Sequence, residues 1–470
     1  MTITSSPTTT NYNSQGFDQL RARVGGQVIT PNDKSYDTAR QAWNLTVDQH
    51  PAIIVVASKV DDIVETVRFA QAQNMAVAVK ATGHGVIREA NDSLLIVTSE
   101  LTDVRVNADA QTAWVSAGTK WGRVLEETQA VGLAPVLGSS PDVGAVGYTL
   151  GGGMGWLARK YGISADSVNQ FELVTADGNL VHASAAENAD LFWALRGGGN
   201  FGVVTAMEIR LYPVTNVYGG NLFYPIEKAK EVYARYRNWI VNAPDELTSS
   251  VLIMNFPPFP QIPEMLRGQS FVMVRGCYCG PLEQGEELLK YWRDWQSPII
   301  DDFKAMPFSQ VATISSDPLD PVAALGSGVW LKDLSDETVD ILMRYAIPRN
   351  GPPLFIFAEV RHAGGAISKV DPQSAAYGNR DAVHILEVIG AAPSPEVQDA
   401  VRQHISQLRS ELTPHLHGGV YMNFLEGEDA RKYTRQGFSP EAYTRLQELK
   451  ARYDPQNRFS HSYDIPPAAK

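Results

Sequence analysis

From residue 51 the chain alternates short apolar runs with stretches of helical spacing. Ala52-Ile53-Ile54-Val55-Val56 is apolar at every position, the pattern of a strand buried on both faces, and residues 61–73 place Ile63, Val64, Val67 and Ala70 at helix spacing with charges between them. Strands are predicted again at 76–79, 94–97, 113–115, 171–174 and 203–211, with helices at 121–130 and 189–195. Beyond Pro213 the texture changes: long helices at 226–242, 282–296 and 395–412 frame strands at 251–254, 271–278 and 355–360, which mark a second unit. A last helix over 439–453 is stopped in a turn by Asp454-Pro455-Gln456-Asn457. The pattern is that of an α+β protein whose sheets need not be parallel. Residues 1–17, rich in Ser, Thr and Asn, read as a frayed tail with neither the apolar core nor the positive start of a targeting segment.

Length and charge narrow the function. At 470 residues the chain has room for about three units at roughly 150 residues each. Its formal net charge of -12, with no basic patch, disfavours nucleic acid and anionic lipid as partners. No apolar run approaches the roughly 20 residues that span a bilayer, so a cytoplasmic protein with no membrane partner is expected. Cys277 and Cys279 are the only cysteines, which excludes a disulfide framework and a cysteine metal site.

Chemistry enters with three glycine clusters in the first unit: Gly83-His84-Gly85, the stretch from Gly144 to Gly155, and Gly197-Gly198-Gly199-Asn200-Phe201-Gly202. Such loops let backbone approach a ligand and cradle phosphate, or they make tight turns. Gly197, Gly199 and Gly202 satisfy GxGxxG, and Gly153, Gly155 and Ala158 its looser form, but neither loop follows a buried strand and opens a helix, so NAD is not expected.

Longer motifs carry a family resemblance. Lys80-Ala81-Thr82-Gly83-His84-Gly85 resembles a segment of the vanillyl-alcohol-oxidase-type (PCMH-type) flavoproteins, in particular the berberine-bridge-enzyme-like oxidases of secondary metabolism. In the right order follow Gly138-Ser139-Ser140-Pro141-Asp142-Val143-Gly144, Gly147, Gly151-Gly152-Gly153-Met154-Gly155, Val174-Thr175-Ala176-Asp177-Gly178, residues 188–199, Tyr421-Met422-Asn423-Phe424 and Asp454-Pro455-Gln456-Asn457-Arg458-Phe459. The resemblance implies an FAD-binding domain in two parts, residues 46–215 and 416–470, with a mixed-sheet substrate domain at 216–415 between them and a tail and lead-in at 1–45. It implies FAD contacts from residues 80–85, from Gly138, Ser139, Ser140, Asp142, Val143, Gly144, Gly147, Gly151 and Gly152, from Gly202, Val203 and Val204, and from Asn423 and Tyr463. It also implies a covalent bond from His84 to the flavin. Many relatives add a second bond from a cysteine where Ser140 stands here, so attachment through His84 alone is expected.

An oxidase of this kind takes hydride from a C–OH or C–N centre of a small organic substrate to flavin N5 and passes the electrons to O2, giving H2O2. A dehydrogenase with another acceptor, or a flavin-binding protein without redox turnover, are the alternatives. Alcohol substrates need a base. The family's usual tyrosine is Phe424 here, which accepts no proton. Tyr421 remains, but strand parity sets it with Asn423 and against Phe424. A second candidate strand, Phe355-Ile356-Phe357-Ala358-Glu359-Val360-Arg361-His362, places Glu359 and Arg361 on one face with Phe355 and Phe357, and His362 on the other. Glu359 and Arg361 form a structural pair or line the pocket, and His362 is an alternative base. The expected catalytic residues are therefore Tyr421, His362 and Glu359, and the expected pocket residues Phe424, Phe357 and Arg361, with no metal.

Overall fold

A computed structural model describes residues 14–199, 201–349 and 351–469. The first sheet holds β1 (Gln27–Ile29), β2 (Ile53–Val56), β3 (Val77–Lys80) and β4 (Leu94–Val97) in the order β1-β2-β4-β3. β2 and β3 run parallel to β4, and the crossover between β2 and β3 is the helix Val60–Ala72, which buries Ile63, Val67 and Ala70 against the sheet. β1 pairs antiparallel with β2, so part of the stretch read as lead-in is built into the sheet. The frayed tail is corrected in its described part: Ser14–Arg21 is a helix, with Leu20 buried and Phe17 packed on Phe69 at 6.1 Å between ring centroids. Residues 1–13 of that expectation lie outside the described residues.

The second sheet holds β5 (Val104–Asn107), β6 (Thr112–Ser116), β7 (Val168–Val174), β8 (Leu180–Ser184) and β9 (Val203–Arg210), ordered β5-β6-β9-β7-β8 and antiparallel. The C-terminal helix Pro440–Tyr453 packs on the helix Ala189–Leu195, and the chain then returns to the first sheet. Val77 N–H donates to the Arg458 carbonyl, and the Arg458 guanidinium donates to the carbonyls of Ala70 and Met75 at 2.9 and 2.7 Å. The turn that aims Arg458 is fixed by Asp454, which pairs with Lys450 in a fully buried bridge of 2.7 Å and accepts from the N–H groups of Arg458 and Phe459.

The third sheet has eight strands: β10 (Asn216–Pro225), β11 (Leu247–Asn255), β12 (Ser270–Tyr278), β13 (Ile300–Asp301), β14 (Lys304–Pro307), β15 (Ala324–Leu331), β16 (Phe357–His362) and β17 (His384–Ala391). Its order is β13-β10-β12-β11-β16-β17-β15, with β14 also on β10, and its pairs are antiparallel. One face is apolar and packs Val251, Val274, Val360 and Leu386 against the helices Ala229–Ile240, Leu282–Arg293, Asp336–Ala346 and Pro395–Leu412. The opposite face splits into an apolar end and a polar row. Phe357 belongs to the apolar end, with Phe223, Leu252, Phe271 and Met273, so the expectation that it lines a substrate pocket is corrected. Phe355 precedes β16 and lies among the helix-side residues rather than beside Phe357, because the strand period does not extend back to it.

Between the second and third sheets, Asp166 accepts two hydrogen bonds from Arg380, at 2.6 and 3.0 Å, and both side chains are buried. This pair anchors the segment that brings Tyr377 against Gly152 and Gly197. Removing one partner of a buried pair leaves the other charge uncompensated, at a cost of about 3–5 kcal/mol. Asp166→Ala should therefore move the urea midpoint down by the equivalent of about that much; a shift under about 1 kcal/mol would mean that the pair does not hold the segment.

Candidate active site

A cleft of about 410 Å³ lies where the three sheets meet, within the ~300–1,000 Å³ typical of cofactor and ligand pockets. One wall comes from residues 77–88, from β3 onward, and from residues 138–140, 143–144, 146–148 and 150–151, which include one side of the helix Ala145–Leu150. At Gly85 and Gly147 a Cβ would meet nothing within 4 Å, so the cleft stands open there. At Gly151 a Cβ would fall 1.7 Å from Asn423 Oδ1, so glycine is needed for the Asn423 carboxamide to dock. Gly199, Gly202 and Val204 at the start of β9 and Phe459, His461 and Tyr463 of the C-terminal segment line the cleft as well.

His84 sits at one end of this wall. Its ring stacks on Trp43, with centroids 4.1 Å apart and planes 15° off parallel, and its Nδ1 is 3.1 Å from Thr82 Oγ1. Nε2 is buried without a hydrogen-bond partner among the described residues. Burial pushes its pKa down to about 4, so the imidazole is neutral at physiological pH. Trp43 is held in turn by its indole N–H, which donates to the Leu319 carbonyl at 3.0 Å. The Lys80 ammonium is tied to the carbonyls of Ala39 and Gln41, and Arg88 is paired with Asp464. Ser140 lines the cleft, its Oγ accepting from Asp142 N–H.

At the other end stand Tyr421, Asn423 and Phe424. The parity reading fails here, because Met422–Phe424 is a 3-10 turn and not a strand; Tyr421 and Phe424 both line the cleft and contact edge to face at 4.8 Å. The Tyr421 hydroxyl accepts from Met154 N–H at 2.7 Å and from Asn423 Nδ2 at 3.1 Å, and burial pushes its pKa up to about 12. Asn423 also donates to the Tyr148 carbonyl, and Tyr463 to the Met422 carbonyl.

Beneath this end runs the polar row of the third sheet. Glu359 on β16 lies directly across from Glu387 on β17, and Arg361 donates to both, at 2.8 and 2.5 Å. Glu359 is further tied by Ser250 at 2.6 Å and Arg275 at 3.5 Å, and Arg275 by Asn221 at 3.1 Å. Arg361 lies 5.2 Å over the Phe424 ring, and the seat for that ring is Gly328 on β15, where a Cβ would fall 2.6 Å from Phe424 Cβ. Arg361 and Glu387 reach the cleft; Glu359 does not, and lines a small side pocket with His362, Thr248 and Ser250. Burial pushes the Glu387 carboxyl up to about 7, with Glu359 and Asp317 adding to the shift and Arg361 opposing it. Glu426, on the same cleft, is likewise pushed up to about 7 by burial.

Five of the expected residues beyond Phe357 are therefore placed elsewhere. His362 is buried with Arg159 3.2 Å from its Nε2, and burial and that cation push its pKa down to about 2, which disqualifies it as a base on the cleft. Glu359 is consumed by the ion-pair row. Asp142 turns to Lys120, Gly152 abuts Tyr377, and Val203 is in the core of the first sheet. Glu387, Glu426, Tyr148 and Trp43 were missed. For Glu387 a signal existed, a lone carboxylate in the β-rich run His384-Ile385-Leu386-Glu387-Val388-Ile389.

Known proteins resemble this chain over most of its length. Residues 51–184 match the FAD binding domain model and residues 420–466 the berberine and berberine-like model. The chain is 30% identical over 458 residues to the uncharacterized FAD-linked oxidoreductase YgaK of Bacillus subtilis, covering 95% of this chain and 98% of that protein. It is 27% identical to (R)-6-hydroxynicotine oxidase of Paenarthrobacter nicotinovorans, covering 94% and 97%. Its fold matches the crystal structure of 6-hydroxy-D-nicotine oxidase from Arthrobacter nicotinovorans with a TM-score of 0.83 at 23% identity, over 95% of this chain and 98% of that one. The residues present fit FAD: the cleft is walled by glycine backbone, is open at Gly85 and Gly147, and holds an unpartnered imidazole nitrogen.

The Asn423 dock makes a prediction free of any ligand. Gly151→Ala must displace the carboxamide and break its bonds to Tyr148 and Tyr421, costing about 1–3 kcal/mol. Thermal unfolding should fall for Gly151→Ala and hold or rise for Gly147→Ala, where the added methyl meets open space in a helix. Equal melting of the two variants would remove the docking role of Asn423.

Proposed function

The chain belongs to the berberine-bridge-enzyme-like family of FAD-linked oxidoreductases, and we propose that it is an oxidase in which Glu387 takes the substrate proton while the adjacent C–OH or C–N carbon is oxidised. Residues 46–215 and 416–470 hold FAD in this reading, and residues 216–415 supply the substrate side. Bound FAD supplies a hydride acceptor at N5 and, with O2 as final acceptor, yields H2O2. The observation that carries the assignment of the base is that Glu387 reaches the cleft with a carboxyl titrating at about 7, where a base gives and takes protons at the working pH. Tyr421 fits less well: its oxygen already accepts two hydrogen bonds, and its proton is held to about 12, so it orients Asn423 and the Met154 backbone instead.

One covalent bond, from His84, completes the proposal. A neutral imidazole with a buried free nitrogen is a competent nucleophile, and stacking on Trp43 fixes its plane. Ser140 offers no second thiolate. Phe424 accepts no proton and instead forms an apolar wall, steadied by Arg361 over its ring.

Colour should stay with the polypeptide after acid precipitation, His84→Ala should release it, and peptide mass spectrometry should find flavin on the His84 peptide alone. Wild-type colour that washes out would refute the bond, and flavin on a peptide with Cys277 or Cys279 would refute the site. The oxidase assignment is checked by anaerobic bleaching of the flavin with a panel of amines, alcohols and sugars, followed by peroxide measurement in air. Bleaching without peroxide would make the protein a dehydrogenase, and a flavin that no member bleaches would remove redox turnover.

A further inference from the structure

The charged groups around the reacting end of the cleft do not balance. Arg361 is the cation there, and it is already divided between Glu359 and Glu387. Arg275 behind it answers Glu359. Glu387 and Glu426 both face the cleft, Glu426 accepting from the Gly326 backbone N–H; Asp317, bound by Ser139 Oγ at 2.6 Å, adds its charge near Glu387, and Asp429, held by Ser327 and Arg409, adds its charge near Glu426. β15 contributes no charge, since Gly328 is the residue opposite Glu387. The remaining cleft cations, Lys80 and Arg88, are held by backbone carbonyls and by Asp464. With the carboxyls ionised, this end carries an excess of negative charge inside walls formed by Tyr148, Tyr421, Phe424 and Tyr463.

An anionic cleft with aromatic walls is complementary to a cation on an apolar body. A neutral polyol would leave the excess charge uncompensated, and an anion would add to it. We infer that the substrate is an amine, bound as its ammonium ion between Glu387 and Glu426. The inference rests on the oxidase reading above and narrows its C–OH or C–N centre to C–N.

The chemistry follows from the placement. Glu387 accepts the ammonium N–H proton, which frees the nitrogen lone pair. That pair forms the C=N bond as the α-carbon loses its hydrogen as hydride to FAD, the two-electron oxidant of this family. The product is an iminium ion, still a cation matched to Glu426, and water converts it to carbonyl and amine.

The test compares binding of benzyltrimethylammonium, which has no N–H to lose, with that of benzyl alcohol to the holoenzyme at pH about 8, by calorimetry or by perturbation of the flavin spectrum. The cation should bind roughly tenfold or more tightly than the alcohol, and Glu426→Gln and Glu387→Gln should each remove most of that preference. Equal or tighter binding of the alcohol, or a preference unchanged in both variants, overturns the inference. Anaerobic bleaching by N,N-dimethylbenzylamine and by benzyl alcohol separates the two readings. Bleaching by the alcohol alone overturns the amine assignment and leaves the oxidase standing, whereas cation preference in a protein that neither probe bleaches supports the charge assignment and counts against the oxidase.

Discussion

Arg361 lies between two carboxylates that the strand register sets face to face, and the reacting end of the cleft is built around that arrangement. Like charges opposite one another across a sheet are destabilising, so Glu359 and Glu387 require the guanidinium that bridges them. The bridge in turn requires a chain of support, Ser250 and Arg275 on Glu359 and Asn221 on Arg275, one strand after another. Removing a link would leave buried charge unpaired, which costs more than the pair itself contributes. What the row delivers to the cleft is one carboxyl, Glu387, held among the described residues by Arg361, and one guanidinium face on which Phe424 rests.

The cleft exists only because distant segments meet. Its backbone wall comes from residues before 152, its charged floor from the third sheet, and its closing aromatics from residues 421–463. Arg458, steered by the buried Asp454–Lys450 bridge, stitches the chain end onto the first sheet and sets Tyr463 and Phe459 in place. Asn423 docks in the space that Gly151 leaves and ties the turn Met422–Phe424 to both Tyr148 and Tyr421. The contacts that hold the chain end in the fold thus also shape this end of the cleft.

Much of this was legible in the amino-acid pattern where burial is one-sided or complete. The strand at residues 53–56 and the helix after it stand out because apolar positions keep one period throughout. His84 and most residues of the glycine motifs that the sequence singles out come together along one wall of the cleft. The floor was harder to read. β10, β15 and β17 are interrupted by glycines or by a carboxylate whose partner lies on another strand, so the lone carboxylate Glu387 stood out in its run without showing which face meets the cleft. Parity misled at Tyr421, because a 3-10 turn does not alternate. At Glu359 and His362 the alternation held, but which face meets the cleft is decided by neighbouring strands and by Arg159, and those are tertiary facts.

The assignment of Glu387 as proton acceptor is tested most directly by the pH dependence of anaerobic flavin reduction, measured on wild type, Glu387→Gln and Tyr421→Phe with the same bleaching substrate. A carboxyl held at about 7 must be ionised to accept a proton, so the wild-type rate should rise as pH passes through about 7 and level off above it. Glu387→Gln should abolish that rise and slow reduction by roughly a hundredfold or more, while Tyr421→Phe keeps it. A rise that survives in Glu387→Gln and disappears in Tyr421→Phe would contradict the assignment and return the base to the tyrosine.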